Sequence, residues 1–224
     1  MENSRLKSLI LLSGGLDSSA NLAFADYFDL PVLALTIDYG QRAASAEIRA
    51  AALFAQHYGI AHQILDLKWL GALGGSALTS SMIEVPKMDS AKLDDQKTAE
   101  ATAKQVWVPN RNGLFINAAA AIAESMGAQQ VIVGFNKEEA ATFPDNSSQF
   151  LGVSNLSLKY STNGRVKLAC YTDMMVKNEI VQSLRNLPKK FPFEYVWSCY
   201  HGGEKMCGEC ESCKRFIRAT SGGA

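Results

Sequence analysis

The chain has 224 residues, of which 47% are hydrophobic and 20% are charged, with 22 basic residues against 22 acidic ones. This length is enough for one large domain, or a domain with an appendage, that buries its own core. A formal net charge of zero removes the electrostatic reason to expect direct binding of nucleic acid or of an anionic membrane. Any polyanion that binds should therefore be small.

Three features of the sequence bear on location. The longest apolar run, residues 114–123, is interrupted by Asn117 and is too short to cross a membrane. Residues 1–7 are mostly polar and lead straight into a strand-like run, which is not the pattern of a signal peptide. Four of the five cysteines lie between positions 199 and 213, where a reducing compartment would keep them as thiolate ligands. We therefore expect a cytoplasmic protein.

The apolar pattern of the first 70 residues predicts a β-α-β-α-β run. The predicted strands are residues 8–12, 32–37 and 62–67, and the predicted helices are residues 17–28 and 45–59. The rhythm continues with a helix over 113–126, a strand over 131–135 and a helix over 174–187. Alternation of this kind predicts an α/β fold with a doubly wound, mainly parallel sheet.

Two segments interrupt or follow this rhythm. Residues 69–104 are glycine-rich at first and then polar, which predicts either an excursion over the site, partly mobile, or a solvated linker helix without a role. The cysteine-rich end predicts a separate zinc-binding segment. We therefore divide the chain into an α/β domain over residues 1–190 and a C-terminal segment over residues 191–224.

A glycine turn, Ser-Gly-Gly-Leu-Asp-Ser-Ser over residues 13–19, lies between the first predicted strand and helix. Glycines let the backbone approach a ligand closely, and the free amides and dipole at the helix start favour phosphate. Asp17 is a candidate ligand for Mg²⁺. The turn lacks the Walker lysine and the dinucleotide fingerprint. A bare Gly-Gly turn would more often be a plain strand-to-helix connection.

Cys199, Cys207, Cys210 and Cys213 have the spacing C-x7-C-x2-C-x2-C beside several glycines. Four thiolates on short loops are typical of a closed, structural Zn²⁺ site, although an iron–sulfur cluster uses the same ligands. His201 is a nearby alternative ligand, but four cysteines already fill a tetrahedral site. Cys170 stands alone in an apolar stretch and is predicted to be a core residue.

The glycine turn resembles the pyrophosphate loop of the PP-loop ATP pyrophosphatase superfamily. Taken with six further strings, the chain resembles one branch of it, the 7-cyano-7-deazaguanine synthases (QueC). These strings are YGQR (39–42), VPNRN (108–112), GFN (134–136), FPD (143–145), KNEIV (177–181) and SCY (198–200). The resemblance implies an adenine nucleotide alpha hydrolase-like fold and, for the assembly, a homodimer.

The family adenylates the carboxylate of 7-carboxy-7-deazaguanine with ATP and lets ammonia displace AMP, giving an amide. A second ATP then activates the amide, which is dehydrated to the nitrile. The resemblance therefore implies an ATP-dependent ligase that forms a carbon–nitrogen bond, with ATP, Mg²⁺ and Zn²⁺ as cofactors. Its partners would be a small deazapurine carboxylate and ammonia.

The resemblance also implies roles for individual residues. ATP would be bound by Ser13, Gly14, Gly15, Asp17, Ser18, Ser19, Asp38, Tyr39, Gln41 and Arg42. The deazapurine would be bound by Arg111, Asn112, Asn136, Phe143 and Asp145. Catalysis would depend on Asp17, on Arg111 near the reacting carboxylate or the phosphates, and on Asp145. The Asp145 carboxylate would accept two N–H donors from the guanine-like edge of the base.

The sequence departs from the family pattern where the substrate is recognised. Asn146 and Ser147 stand in place of a cysteine and an arginine, and Asn110 stands in place of a glycine. These departures predict that conversion of the amide to the nitrile is impaired or absent. One alternative is a divergent relative that joins the adenylated deazapurine to another amine, possibly on a partner protein. Another is a non-enzymatic, ATP-sensing zinc module.

Overall fold

The computed structural model describes residues 5–222. Five parallel strands form one sheet in the order β3-β2-β1-β4-β5. The strands are β1 (Lys7–Leu11), β2 (Leu30–Asp38), β3 (Ala61–Asp66), β4 (Gln130–Ile132) and β5 (Lys167–Ala169). The predicted doubly wound parallel sheet is confirmed.

Helices connect and cover the strands. They are α1 (Leu16–Phe28), α2 (Ala44–Tyr58), α3 (Lys68–Ala72), α4 (Gln96–Val106), α5 (Arg111–Ser125), α6 (Lys137–Ala140), α7 (Ser148–Ser161), α8 (Lys177–Arg185) and α9 (Glu211–Ser221). Short 3-10 turns occur at Ser90–Lys92, Pro144–Asn146 and Phe193–Tyr195. No helix within residues 5–222 is both long enough and apolar enough to cross a membrane.

The sheet has a hydrophobic core on each face. Leu9 and Ile10 are neighbours in β1 but belong to different cores, because successive side chains of a strand point to opposite faces. Helices α1, α2 and α8 cover the face of Ile10, and helices α5 and α7 cover the face of Leu9. Burial of each such side chain contributes about 1.5–3 kcal/mol. The resulting three layers hold the carboxyl ends of the strands in fixed positions.

The chain leaves β1 and β4 towards opposite faces of the sheet, which makes the carboxyl ends of these strands the point where ligands bind in such folds. The segments after the two strands approach each other closely. A Cβ atom on Gly134, which follows β4, would lie only 2.5 Å from the backbone nitrogen of Ser18. A glycine is therefore needed where these two segments meet.

Three elements near the end of the chain were not predicted from the sequence. Helix α7 has one fully buried residue, Leu158, so it lacks a clear apolar stripe. Strand β5 is only three residues long, and Cys170 follows it, partly buried against the core as expected. Helix α9 begins between Cys210 and Cys213. The sequence interpretation assigned this stretch to the metal site and did not predict a helix there.

The excursion over residues 69–104 is anchored at several points. The Arg42 guanidinium donates hydrogen bonds to the carbonyls of Ser80 and Ile83, and Lys87 forms an antiparallel bridge with Cys210. Helix α4 buries Thr102 and several small residues. The excursion therefore packs against the domain, which is not the arrangement of a solvated linker helix. Phe191, beyond the predicted boundary at residue 190, belongs to the same core as α1.

Candidate active site

A cavity of about 260 Å³ opens at the carboxyl ends of β1, β2 and β4. The predicted α/β domain and the predicted C-terminal segment both contribute residues to its wall. Predicted site residues that line it are Ser13, Gly15, Asp17, Ser18, Tyr39, Arg111, Asn112 and Phe143. Cys199 and Ser212 of the C-terminal segment also line it, so the metal-ligand candidates lie beside the cavity.

The glycine turn forms one end of the cavity. Gly14 has a φ of 78°, and a Cβ atom there would lie 2.5 Å from the Cβ of Ala50, so this position requires glycine. The hydroxyl oxygens of Ser13 and Ser18 are 3.1 Å apart, and the Ser13 hydroxyl accepts a hydrogen bond from the amide of Gly15. Ser19 is fully buried behind the turn. Hydroxyls and amides thus converge beside the start of α1.

A lysine at the start of α8 lies beside the turn. The Nζ atom of Lys177 is 2.5 Å from an oxygen of Asp17 and 3.0 Å from an oxygen of Glu139. Burial opposes the charge of Lys177, but the two carboxylates outweigh it and raise its pKa. Burial also raises the pKa of Asp17 against the opposing effect of Lys177. The second Asp17 oxygen, Oδ1, is buried without a hydrogen-bond partner among the described residues.

Tyr39, which follows β2, lines the cavity together with Leu35 and Ile37 of that strand. The Arg111 guanidinium lies 5.7 Å from the centre of the Tyr39 ring and 3.4 Å from its hydroxyl. The other predicted ATP ligands of this segment have different contacts. Asp38 pairs with Lys68, and Gln41 is buried and donates to the carbonyl of Ile37.

Arg42 donates hydrogen bonds to the excursion, as described above. None of Asp38, Gln41 and Arg42 lines the cavity; their side chains contact the loops around it. Side-chain hydrogen bonds to backbone carbonyls, such as those of Gln41 and Arg42, satisfy the polar groups of irregular backbone. Tyr39 is the member of this string that is placed to touch a ligand.

Several predicted base-binding residues lie in the cavity wall or beside it. The side-chain amide of Asn112 donates to the carbonyl of Asp145, and Phe143 lies parallel to Trp107 with ring centres 6.4 Å apart. Asn146 lines the cavity, whereas Asp145 lies beside it with its Oδ1 atom buried and unpartnered among residues 5–222. Burial raises the pKa of Asp145 although Arg111 opposes this. The Oδ1 atom of Asp145 can therefore accept a hydrogen bond from a ligand.

Asn136 is fully buried, and its side-chain oxygen accepts a hydrogen bond from the amide of Glu139. It caps α6 and does not line the cavity. Ser147 caps α7 in the same way, by accepting from the amide of Phe150. The sequence interpretation missed the capping role of both residues.

Asn110, which stands where the family pattern has a glycine, has a left-handed backbone. Its φ is 51°, in the left-handed region that asparagine tolerates better than most residues. A Cβ atom on Gly113 would lie 2.3 Å from the Asn110 side-chain oxygen. Gly113 therefore leaves room for the side chain of Asn110, and Arg111 keeps its place at the start of α5.

The four predicted metal ligands are brought together. The sulfur atoms of Cys199, Cys207, Cys210 and Cys213 all lie within 4.8 Å of one another. A tetrahedral Zn²⁺ with Zn–S bonds of about 2.3 Å requires sulfurs about 4 Å apart. The donor set therefore fits a closed thiolate site, without His201.

A buried ion network links the cysteine segment to the cavity. The guanidinium of Arg215 in α9 donates to the carboxylates of Glu138 and Glu211 and to the carbonyl of Leu93 in the excursion. Glu138 in turn accepts from the backbone amide of Lys177. The sequence interpretation missed Arg215 and Glu138, because nothing in their local pattern indicates a partner.

Two further charged residues of the cavity wall, Glu47 and Glu139, were also missed. Lys177 belongs to one of the strings that carried the family resemblance. Its place in that string was a signal that it belongs to the site. Glu139 follows another of these strings closely. Glu47 lies in the first turn of α2, outside all of the strings.

The chain matches the model of the family described as "Queuosine biosynthesis protein QueC" over residues 7–221. It is 48% identical to a 7-cyano-7-deazaguanine synthase of Pelotomaculum thermopropionicum over 215 residues, which cover 96% of each chain. It is 49% identical over 214 residues to a protein of the same name from Desulforudis audaxviator, again covering 96% of each. An NMN synthetase structure from Francisella tularensis matches with a TM-score of 0.48 and 14% identity, over 98% of this chain and 85% of the other.

Proposed function

The chain belongs to the QueC family, and we propose on this premise that it is an ATP-dependent ligase that makes 7-cyano-7-deazaguanine from 7-carboxy-7-deazaguanine and ammonia. The observation that carries the proposal is the cavity at the carboxyl ends of β1 and β4. It joins a phosphate-binding turn, the Lys177 ammonium and the Arg111 guanidinium in one open cavity. AMP and pyrophosphate are the expected by-products.

The phosphates of ATP bind at the glycine turn. The hydroxyls of Ser13 and Ser18 and the amides at the start of α1 are donors for phosphate oxygens. Lys177 adds a positive charge beside the turn, where it would bind phosphate oxygens as the Walker lysine does in other loops. Asp17 Oδ1, a buried oxygen without a partner within residues 5–222, fits a Mg²⁺ ligand. Bound Mg²⁺ would neutralise phosphate charge as pyrophosphate leaves.

The deazapurine binds against the wall formed by α5 and the 3-10 turn Pro144–Asn146. Asp145 accepts N–H donors from the guanine-like edge, and Asn112 fixes the backbone of Asp145. Phe143 packs against the planar base. This orientation leaves the substrate carboxylate towards Arg111 and the phosphates, which is the geometry that adenylation requires.

Arg111 stabilises negative charge on the reacting group. Its guanidinium is held by Tyr39 and by the side-chain oxygen of Asn112 at 3.4 Å, so it is oriented before the substrate binds. A preorganised donor of this kind lowers the barrier for charge that develops in the transition state, typically by about 3 kcal/mol. Arg111 serves both halves of the reaction, because each half forms an adenylate and each displaces AMP.

Zn²⁺ would be held by Cys199, Cys207, Cys210 and Cys213 and would supply folding energy. A closed four-thiolate site has no open position for substrate, so its contribution is structural. By fixing the start of α9, it would fix Ser212 and Cys199 in the cavity wall.

The nitrile is the product that the relatives favour. Both relatives named above are 7-cyano-7-deazaguanine synthases at 48% and 49% identity. The two sequence alternatives, conjugation of another amine and a non-enzymatic zinc module, are therefore not favoured. The guanidinium expected at position 147 is absent, but Arg111 already lines the cavity, and Ser147 serves α7 as its cap.

The proposal is tested by product analysis. The purified protein, incubated with ATP, Mg²⁺, 7-carboxy-7-deazaguanine and ammonium, should form the nitrile and release AMP and pyrophosphate, as measured by mass spectrometry and nucleotide chromatography. Release of ADP would contradict it. A cytoplasmic location and a homodimer stay predictions from the sequence.

A further inference from the structure

Glu47 is a cavity-lining carboxylate to which the proposed function gives no role. Asp17 and Glu139 also line the cavity, but both contact the ammonium group of Lys177. Glu47 instead accepts a hydrogen bond of 2.8 Å from the neutral side-chain amide of Gln41. Among residues 5–222, no lysine, arginine or histidine nitrogen lies within 4.0 Å of its oxygens. Its negative charge is therefore uncompensated by contact.

The position of Glu47 is fixed by its neighbour. The Gln41 side chain is buried, accepts from the amide of Tyr39 and donates to the carbonyl of Ile37. This fixes Oε2 of Glu47 and leaves Oε1 without a hydrogen-bond partner in the described part of the chain. Glu47 lines the same cavity as Tyr39 and Arg111. An oxygen acceptor is thus present in the cavity in which, under the proposed function, the acyl group reacts.

The surroundings of Glu47 favour the binding of a proton, chiefly because the carboxyl group is buried. Burial raises the pKa of the Glu47 carboxyl, and Asp38 at the end of β2 acts in the same direction. The Gln41 amide and Arg111 oppose this but do not reverse it. Tyr39 also lines this wall, and burial keeps it protonated by raising its pKa. A carboxylate with a raised pKa is a better general base than an exposed one.

The proposed reaction needs such a base. Ammonia exists in neutral water mainly as ammonium, which has no free electron pair with which to attack an acyl adenylate. We propose that Glu47 binds the ammonium ion and takes one proton from it, so that ammonia is delivered inside the cavity. This inference rests on the proposed function.

The step balances in protons and electrons. Oε1 of Glu47 accepts one proton from ammonium and becomes a neutral carboxyl. The nitrogen electron pair then forms the new carbon–nitrogen bond, and the carbon–oxygen bond to the phosphate breaks, with its electron pair leaving on AMP. The nitrogen loses a second proton to water as the amide forms.

The experiment separates adenylation from nitrogen capture in the Glu47→Gln variant. Exchange of labelled pyrophosphate into ATP, with 7-carboxy-7-deazaguanine and no ammonium, reports adenylation alone and should be unchanged. Amide formation with ammonium should fall by roughly a hundredfold, the typical contribution of a general base. Hydroxylamine is largely unprotonated at neutral pH, so it should bypass the base and give hydroxamate at the parent rate.

Two variants serve as controls. Glu47→Asp keeps a carboxylate and should keep part of the ammonium-dependent rate, whereas Glu100→Gln alters an exposed glutamate of α4 and should change nothing. Equal losses with ammonium and hydroxylamine, or a loss of pyrophosphate exchange, would show that Glu47 serves the fold or the nucleotide and would overturn the inference alone. Absence of exchange in the parent protein would overturn the proposed function, and the inference with it.

Discussion

Asp17 contacts Lys177 through one carboxylate oxygen and has a second, buried oxygen free of protein partners within residues 5–222. Asp17→Asn keeps the shape of the side chain but removes its charge. We expect AMP release to fall by about a hundredfold to a thousandfold, the usual loss when one preorganised electrostatic group is removed. Asp26→Asn, at the far end of the same helix, is the matched control. Normal AMP formation by Asp17→Asn would remove this residue from the mechanism.

Asp145 presents a buried oxygen beside the cavity. In Asp145→Asn an amide replaces the carboxylate, so one buried N–H of the base would face another donor. Binding of 7-carboxy-7-deazaguanine should weaken by about 1–3 kcal/mol, which titration calorimetry without ATP measures directly. Asp173→Asn, which alters a carboxylate bonded to Ser148, is the control. Equal affinity in the Asp145 variant and the parent protein would refute the assignment.

The left-handed backbone at Asn110 gives a test of stability. Asn110→Gly should retain both fold and activity, because glycine adopts this conformation without strain. Asn110→Val should lower the free energy of unfolding by about 1–2 kcal/mol, since a β-branched side chain clashes there. Thermal unfolding should then occur a few degrees lower. Equal melting temperatures for the two variants would contradict this account.

At the scale of elements, Arg215 ties α9 to α6 and to the excursion. It is mostly buried, and its three nitrogens donate to Glu138, Glu211 and the carbonyl of Leu93. Arg215→Met should destabilise the protein by about 3–5 kcal/mol, because it leaves buried carboxylates with fewer partners. Hydrogen exchange should rise over residues 87–106 and 211–221.

Arg218 offers a matched comparison for that prediction. It also contacts Glu138, but its side chain is 36% exposed and its other partner, Asp94, lies at the surface. Exposed ion pairs contribute at most about 1 kcal/mol. Arg218→Met should therefore have a much smaller effect, and equal effects of the two substitutions would show that the network does not hold the elements together.

The four-cysteine metal site also affects the structure at the scale of elements. Elemental analysis should find one zinc per chain, since four cysteine sulfurs lie within 4.8 Å of one another. Removal of zinc by a chelator should increase hydrogen exchange over residues 199–213 before it unfolds the rest of the chain. Stoichiometric iron and sulfide would instead identify an iron–sulfur cluster.

At the scale of the whole molecule, one cavity has to serve two activations of the same substrate. The turn after β1, the wall formed by α5 and the start of α8 all contribute to it. We therefore expect two molecules of AMP for each nitrile formed, with the amide as a transient species in a rapid-quench time course. Accumulation of the amide as the final product would instead support the expectation drawn from Asn146 and Ser147.

The sequence by itself determined the elements and sites that depend on neighbouring residues. The β-α-β alternation, the phosphate turn at residues 13–19 and the cysteine spacing are local patterns, so their physical consequences follow without knowledge of the fold. The family strings added Arg111 and Lys177 as parts of longer matches. Only the structure decided which distant residues meet.

Lys177 reaches Asp17 across 160 positions of sequence, and Arg215 reaches Glu138 across 77. No local propensity encodes such pairs, because they form only after the sheet has brought the ends of β1 and β4 and the helices around them together. For the same reason, the sequence did not predict that the residues from Asp38 to Arg42 have different roles. Tyr39 faces the cavity, while its neighbours satisfy the backbone of the loops that enclose it.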